Sequence, residues 1–278
     1  MRSYLYVPGD SPRLLDRALD RGADALIVDL EDAVPPAGKD AARANVAAWL
    51  ADVPATATVW VRINPGAAGL VDARAVVGPT LSGLCVAKTE SVTQLDALDA
   101  VLSTAEDSAG LRPRSVPVAP LLESGAAVLD APAIARGPRV ARLQLGEADL
   151  RADLGVVVSP DERELLVARS LVVLASAAAG IAPPVAPVST DFRDLAALRE
   201  STLALKRLGF RGRACIHPAQ IEVVNELFTP TPAEHAAATD ILVRFEAAQA
   251  SGSGVCVDAD GRLIDEAVVR AARRLLHP

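Results

Sequence analysis

Carboxylates gather at a few points of this chain. Asp29, Glu31 and Asp32 stand within four positions, directly after the apolar run Ala25–Val28. Further on, short apolar runs lead into Arg62 and Asn64, Lys88 and Glu90, Glu123 and Ser124, Glu147 and Asp149, Asp191, and His217. Six or more carboxylates brought to one place repel one another unless cations intervene. The donors are nearly all oxygen, and the three cysteines, Cys85, Cys215 and Cys256, form no CxxC pair. Such a set suits Mg2+, with Mn2+ also compatible, and does not suit zinc. Mg2+ takes one or two protein carboxylates and leaves its other positions to substrate and water. The donor types alone leave open which two carboxylates those are.

The elements that must carry these residues repeat eight times. Each unit is a short β-rich apolar run followed by a helix-like stretch. The runs are "YLYVPG" (4–9), "ALIVDLED" (25–32), "TVWVRIN" (58–64), "GLCVAK" (83–88), "VPVAPLLES" (116–124), "ARLQLGEAD" (141–149), "PVAPVSTDF" (184–192) and "RACIHP" (213–218). Near-continuous apolar strands alternating with amphipathic helices specify a parallel sheet with covered faces. Eight units in 278 residues predict a (β/α)8 TIM barrel, α/β in class. A doubly wound open sheet is the alternative, but it calls for a GxGxxG turn after an early strand, and none is present. In a barrel the C-terminal strand ends share one rim, which brings these polar residues together. The expected division is a barrel domain over 1–250 and a C-terminal helical lid or oligomerisation segment over 251–278, with a Gly/Ser hinge at 251–254; residues 219–250 read as helix, and the apolar face of the tail helix, Val268, Val269, Ala272 and Leu276, is expected to dock on a neighbouring subunit.

Composition narrows the function. Hydrophobic residues make up 51% of the chain, enough for one large core, and the formal charge of -7 gives no basic footprint for nucleic acid. The stretch "LLVARSLVVLASAAAGIAPP" is interrupted by Arg169 and closed by Gly and Pro, so it reads as a core helix and no membrane span is expected. The unpaired cysteines and the polar start "MRSYLYVPGD" are expected of a cytoplasmic protein with reduced thiols.

Eleven segments in order, among them "RSYLYVPGD", "GADALIVDLEDAV", "KDAARANV", "VRIN", "AKTES", "PLLES", "LGEADLRADLG", "LGFRGRACIHPAQI" and "GRLID", span residues 2–265. With them the chain resembles the citrate lyase beta-subunit-like family, within the HpcH/HpaI superfamily of magnesium-dependent aldolases and acyl-CoA lyases. The resemblance implies metal ligands at Glu123 and Asp149, and an outer ring in which Glu31 and Asp32 hold metal-bound waters. It implies that Arg62 meets the substrate's oxygens, and that Lys88, like Glu123 and Arg62, lies at the substrate. Lys88 is also a candidate Schiff-base lysine. Arg2, Lys39 and Arg43 would face the thioester or brace the rim. Asp265 of the tail matches an aspartate that closes over a neighbouring subunit's site as acid or base, which implies a homo-oligomer, a trimer by resemblance.

The implied reaction is Mg2+-dependent cleavage of a β-hydroxyacyl-CoA, such as citramalyl-CoA or malyl-CoA, into a short acyl-CoA and an oxo acid. Rivals are a citryl-acyl-carrier-protein lyase subunit of a citrate lyase complex, an aldolase of free 2-oxo acids without CoA, and a non-catalytic relative. Simpler roles stand beside each assignment. Glu123 and Asp149 could be ion-paired to Arg62 or Lys88, Glu31 and Asp32 could cap a helix, His217 could be structural, and Asp265 could merely cap the last helix. The chain departs from the family at Ala127, where a glycine is usual, and at Ala267, where a proline is common.

Overall fold

A computed structural model describes residues 1–276. It contains eight parallel strands: β1 Ser3–Pro8, β2 Ala25–Asp29, β3 Val59–Ile63, β4 Gly83–Val86, β5 Val118–Leu122, β6 Arg142–Leu145, β7 Ala182–Val185 and β8 Arg213–Cys215. Their order is β7-β6-β5-β4-β3-β2-β1-β8. A parallel bridge from Ala186 to Arg213 joins the two ends, so the sheet closes into the expected (β/α)8 barrel. The helices are α1 Pro12–Ala18, α2 Lys39–Asp52, α3 Gly66–Val76, α4 Val92–Ser108, α5 Gly125–Leu129, α6 Ala131–Ile134, α7 Glu147–Leu154, α8 Leu166–Ala179, α9 Leu195–Leu208, α10 Ala219–Phe228, α11 Pro232–Ala250 and α12 Glu266–Leu276. A hairpin of β9 Cys256–Val257 and β10 Leu263–Ile264 precedes α12.

Strand alternation fills the barrel interior. Tyr4, Ala25, Ile27, Trp60, Cys85, Ala119, Val185 and Ala214, drawn from seven of the strands, form one buried cluster. The small residues make room for the large ones: a Cβ on Gly83 would lie 2.4 Å from the Trp60 ring. β6 adds polar groups instead. Arg142 donates to the Tyr4 hydroxyl, and Gln144 Nε2 donates to the Tyr6 hydroxyl at 3.4 Å.

Three sequence expectations shift. The seventh strand begins at Ala182 and stops at Val185, so "PVSTDF" is loop. The long helix expected over 219–250 is two helices, because Pro230 and Pro232 interrupt it and Thr231 with Glu234 forms a capping box. The compact units divide between Glu226 and Leu227, not at 250/251, which groups α11 with the tail. Within that second unit Phe245 of α11, Ile264 of β10 and Val269 of α12 are buried together. The apolar stripe of α12 is therefore covered by its own chain, and it no longer calls for a neighbouring subunit. The last two residues of the expected 251–278 segment, His277 and Pro278, lie outside the described residues.

Candidate active site

The turn after β2 is built around Asp29. Its carboxylate accepts the backbone N–H groups of Glu31 at 2.8 Å and Ala33 at 3.0 Å. It also accepts Arg62 Nε at 2.7 Å and Nη2 at 2.6 Å, a two-pronged pairing between neighbouring strands. The remaining guanidinium nitrogen, Nη1, reaches Glu31 at 3.1 Å and Asp32 at 3.4 Å. Burial works against the charge of Arg62, and the Asp29 bonds outweigh it and raise its pKa. Lys39 Nζ donates to the carbonyls of Leu30 and Glu31, and Arg43 holds Asp72, which in turn accepts from Asn64. Lys39 and Arg43 thus brace the rim. Arg2 does not: it pairs with Asp24 where β1 and β2 begin, at the opposite end of the barrel.

Lys88 joins this cluster to the next. It follows β4 with φ of 49°, a conformation that strains a side-chain-bearing residue. The turn aims its backbone N–H at Glu123 Oε2, 2.6 Å away. Its ammonium lies 2.5 Å from Glu31 Oε1 and 3.5 Å from Asp32. The hydrogen bond to Glu31 raises its pKa well above the ordinary lysine value. A Schiff-base lysine must lose its proton, so this environment removes Lys88 from that role.

Glu123 follows β5 and is buried. Asp149, expected at the end of strand six, lies instead in the first turn of α7. The two carboxylates line a single cavity of about 330 Å³ with Lys88, Thr89, Glu90, Ser124, Ala152 and Asp153. Neither carboxylate belongs to an ion pair among the described residues, which sets aside the simple ion-pair reading. Burial first, then the charges of Asp149 and Glu31, push the Glu123 carboxyl up to about 7 despite the Lys88 hydrogen bond. Gly146 makes room for it: a Cβ there would stand 2.4 Å from Glu123 Cγ and 2.7 Å from Oε1. Two oxygen donors facing one space, one of them held in an acid-shifted state chiefly by burial, fit a hard divalent cation. No group of three or more His, Cys, Asp and Glu suited to a metal occurs among the described residues.

Other expected residues take local roles. Glu147 is paired with Arg169, which also holds Glu162. His217 stacks on Phe192 at 4.6 Å and accepts the N–H of Ala219 through Nδ1, so it is structural. Asp191 accepts the N–H groups of Arg193 and Asp194. Ala127 is fully buried, and its N–H is capped by Ser124, so that departure does not reach the cavity. Asp265 accepts the N–H groups of Ala267 at 2.9 Å and Val268 at 3.0 Å, capping α12. A proline at 267 would lack the first of these donors.

Sequence reasoning named Asp29 but gave it no task, and missed Gly146 and Asp72. The glycine of "LGEAD" was a readable signal, since a glycine beside a carboxylate motif often marks a close approach. Nothing in the sequence distinguishes Asp72 from a solvated helix residue.

The profile of the HpcH/HpaI aldolase/citrate lyase family matches residues 2–218. The chain belongs to that family. It is 32% identical to the citrate lyase subunit beta of Leuconostoc mesenteroides subsp. cremoris, over 99% of this chain and 92% of that protein. It is likewise 32% identical to a (3S)-malyl-CoA thioesterase of Cereibacter sphaeroides, over 99% and 93%. The crystal structure of CitE from Mycobacterium tuberculosis in complex with magnesium, acetoacetate and coenzyme A superposes with a TM-score of 0.78 at 28% identity, covering 99% of this chain and 97% of that one. The chain is an enzyme of the carbon–carbon lyase type.

Proposed function

We propose that this lyase is Mg2+-dependent and cleaves a β-hydroxyacyl-CoA, such as citramalyl-CoA or malyl-CoA, into a short acyl-CoA and a 2-oxo acid, with the reverse condensation at the same site. The observation that carries this reading is the Glu123–Asp149 pair: two carboxylates on one cavity with no cationic partner of their own among the described residues. The CitE relative, whose complex holds magnesium, acetoacetate and coenzyme A, supports the same reading.

Glu123 and Asp149 would hold the ion, which supplies a Lewis acid able to polarise the oxo-acid carbonyl. The chain's own residues do the rest. The backbone N–H of Lys88 fixes one oxygen of Glu123, and the other packs beside Gly146. Asp29 grips two guanidinium nitrogens and fixes Arg62, whose Nη1, paired in this structure with Glu31 and Asp32, would turn part of its charge to negative charge developing on a thioester enolate. Glu31 and Asp32 keep Lys88 and Arg62 charged and in place, and support the outer edge of the metal position. Asp265 is the acid/base candidate, acting from the tail of a neighbouring subunit in a homotrimer, where closure would also exclude water. That role requires its carboxylate to leave the two α12 N–H groups or to use its second oxygen.

A panel of CoA thioesters assayed with Mg2+ and with EDTA tests the reading. Turnover of a β-hydroxyacyl-CoA that EDTA abolishes is expected. Turnover of citryl-acyl-carrier protein alone would favour the citrate lyase subunit, and condensation of pyruvate with a free aldehyde would favour the CoA-independent aldolase. No turnover with any substrate would leave a binding protein.

A further inference from the structure

Asp149 is carried by a helix that packing alone does not hold. α7 has eight residues, too few to be stable by itself. Leu150 is its only buried residue, and no side chain caps its N-terminus. A single buried leucine ties the helix down without setting its rotation about its own axis. That rotation decides where Asp149 points. Asp149, Ala152 and Asp153 all line the cavity, at the i, i+3 and i+4 spacing of one helical face. Glu147 stands two positions before Asp149, about 200° away around the helix, so it faces away from the cavity.

Arg169, in the first turn of α8, meets Glu147 there. Its Nε donates to Glu147 Oε1 at 2.6 Å and its Nη2 to Oε2 at 2.7 Å, a two-pronged pairing. The same Nη2 donates to Glu162 Oε2 at 2.7 Å. Glu162 ends the segment that returns the chain from α7 to α8, and its φ of 51° is one that side-chain-bearing residues rarely adopt. Arg169 thus fastens both the start of α7 and the end of the loop that follows it. On the cavity side, Asp153 Oδ2 accepts the N–H of Gly125 at 2.8 Å. The helix is gripped from both sides, and the Arg169 grip falls in the same turn as Asp149.

We infer that Arg169 is a positioning residue for the metal site: by holding Glu147 from behind, it turns Asp149 into the cavity that Asp149 shares with Glu123. The inference rests on the reading of Glu123 and Asp149 as the ligands. Without Arg169, the Glu147 carboxylate is left nearly buried with no cation, and a charge in that position moves toward water. A helix anchored by one leucine rotates with it, and Asp149 leaves the face opposite Glu123. A site built on two carboxylates is sensitive to such a rotation, because each supplies half of the protein's share of the ligands.

The test uses the full chain and compares Arg169→Met with Arg139→Met. The Arg139 side chain is as buried as that of Arg169 and is paired with Glu106 and Asp99, but it precedes β6, at the end of the barrel opposite the cavity. Calorimetry measures Mg2+ affinity, and hydrogen exchange read by mass spectrometry follows the amides of 146–155 in the metal-free protein. Arg169→Met is expected to bind Mg2+ ~10–100-fold more weakly, the usual cost of losing a group that orients a metal ligand, and to exchange faster over 146–155. Arg139→Met is expected to lower the thermal midpoint and leave Mg2+ affinity unchanged. Arg169→Lys keeps the charge but offers no fork, so its affinity should fall between Arg169→Met and the native protein. Native affinity in Arg169→Met, or unchanged exchange over 146–155, overturns the inference. So does an equal loss of affinity in Arg139→Met, which would make the effect one of general destabilisation. A native chain that takes up no Mg2+ overturns the metal reading itself and this inference with it, whereas native binding that Arg169→Met does not weaken overturns this inference alone. Should Arg169→Met fail to fold, Glu147→Leu carries the same expectations and the same refutations, since it releases α7 while Arg169 keeps Glu162 as its partner.

Discussion

Glu123→Gln is expected to stabilise the metal-free protein and to abolish its response to Mg2+. The side chain keeps its shape, and the Lys88 N–H keeps an oxygen to donate to. What is lost is a buried negative charge facing Asp149 and Glu31. The Glu123 carboxyl is pushed up to about 7 from an ordinary 4.5, so the folded state holds its proton more tightly than the unfolded chain does. A raised carboxyl pKa makes stability fall as pH rises through the window from about 4.5 to about 7. Above that window the ionised side chain costs about 3–4 kcal/mol, since each tenfold difference in proton affinity between the folded and unfolded chain is worth about 1.4 kcal/mol. At pH 8 in EDTA the variant should melt about 6–16 °C above the native protein, at about 2–4 °C per kcal/mol for a domain of this size. At pH 4.5 the two should melt together. Millimolar Mg2+ should then raise the native midpoint and leave the variant unmoved, because ligand binding stabilises only the state that binds it. The assay is thermal unfolding by circular dichroism over this pH range, with and without the ion. A variant less stable than the native protein at pH 8 in EDTA, or an offset independent of pH, would refute the buried uncompensated carboxylate. An intact Mg2+ response in the variant would remove Glu123 as a ligand.

Further outcomes follow from the same geometry. Arg62→Lys keeps the charge but cannot make the paired bonds to both Asp29 oxygens, so kcat with a CoA thioester should fall at least ~100-fold; near-full kcat would reduce Arg62 to a counter-charge. Gly146→Ala places a methyl group against Glu123, so Mg2+ affinity by calorimetry should drop at least ~10-fold, a loss of ~1.4 kcal/mol, and unchanged affinity would contradict the cradle. Native protein binding Mg2+ near pH 6.5 should release a proton, visible as a buffer-dependent calorimetric enthalpy, because Glu123 is largely protonated there; no dependence on buffer would show it already ionised. Asp265→Ala and Glu123→Ala, each nearly inactive, should regain activity when unfolded and co-refolded, and mixed oligomers that stay inactive would exclude action between subunits.

Much of this protein follows from one-dimensional pattern. Eight apolar runs separated by helical stretches fix a closed parallel barrel, because strands buried on both faces must be apolar throughout and each parallel crossover needs a helix. Where a run ends, the polar residue that follows falls on one rim. That rule alone placed Glu31, Arg62, Lys88 and Glu123 at the same end. The two prolines and the Thr231–Glu234 box between α10 and α11 also stand in the sequence, although 219–250 reads there as one helix.

The partnerships on the rim belong to the tertiary structure. Asp29 and Asp32 are the same residue type three positions apart, yet Asp29 is buried and binds Arg62 with both oxygens while Asp32 stays half open to solvent. Lys88 reads as a substrate cation or nucleophile until its left-handed turn shows the N–H serving Glu123 and the ammonium serving Glu31. The stripe on α12 reads as a docking face until α11 covers it, and α8, which reads as a core helix, turns an uncharged side outward. Periodicity states which residues share a face. It carries no information on what stands opposite that face, since side-chain partners lie tens of residues away in sequence and meet only when the barrel closes. Burial and pairing, which set the charge state of Glu123 and hence its capacity to hold a cation, are properties of that closure.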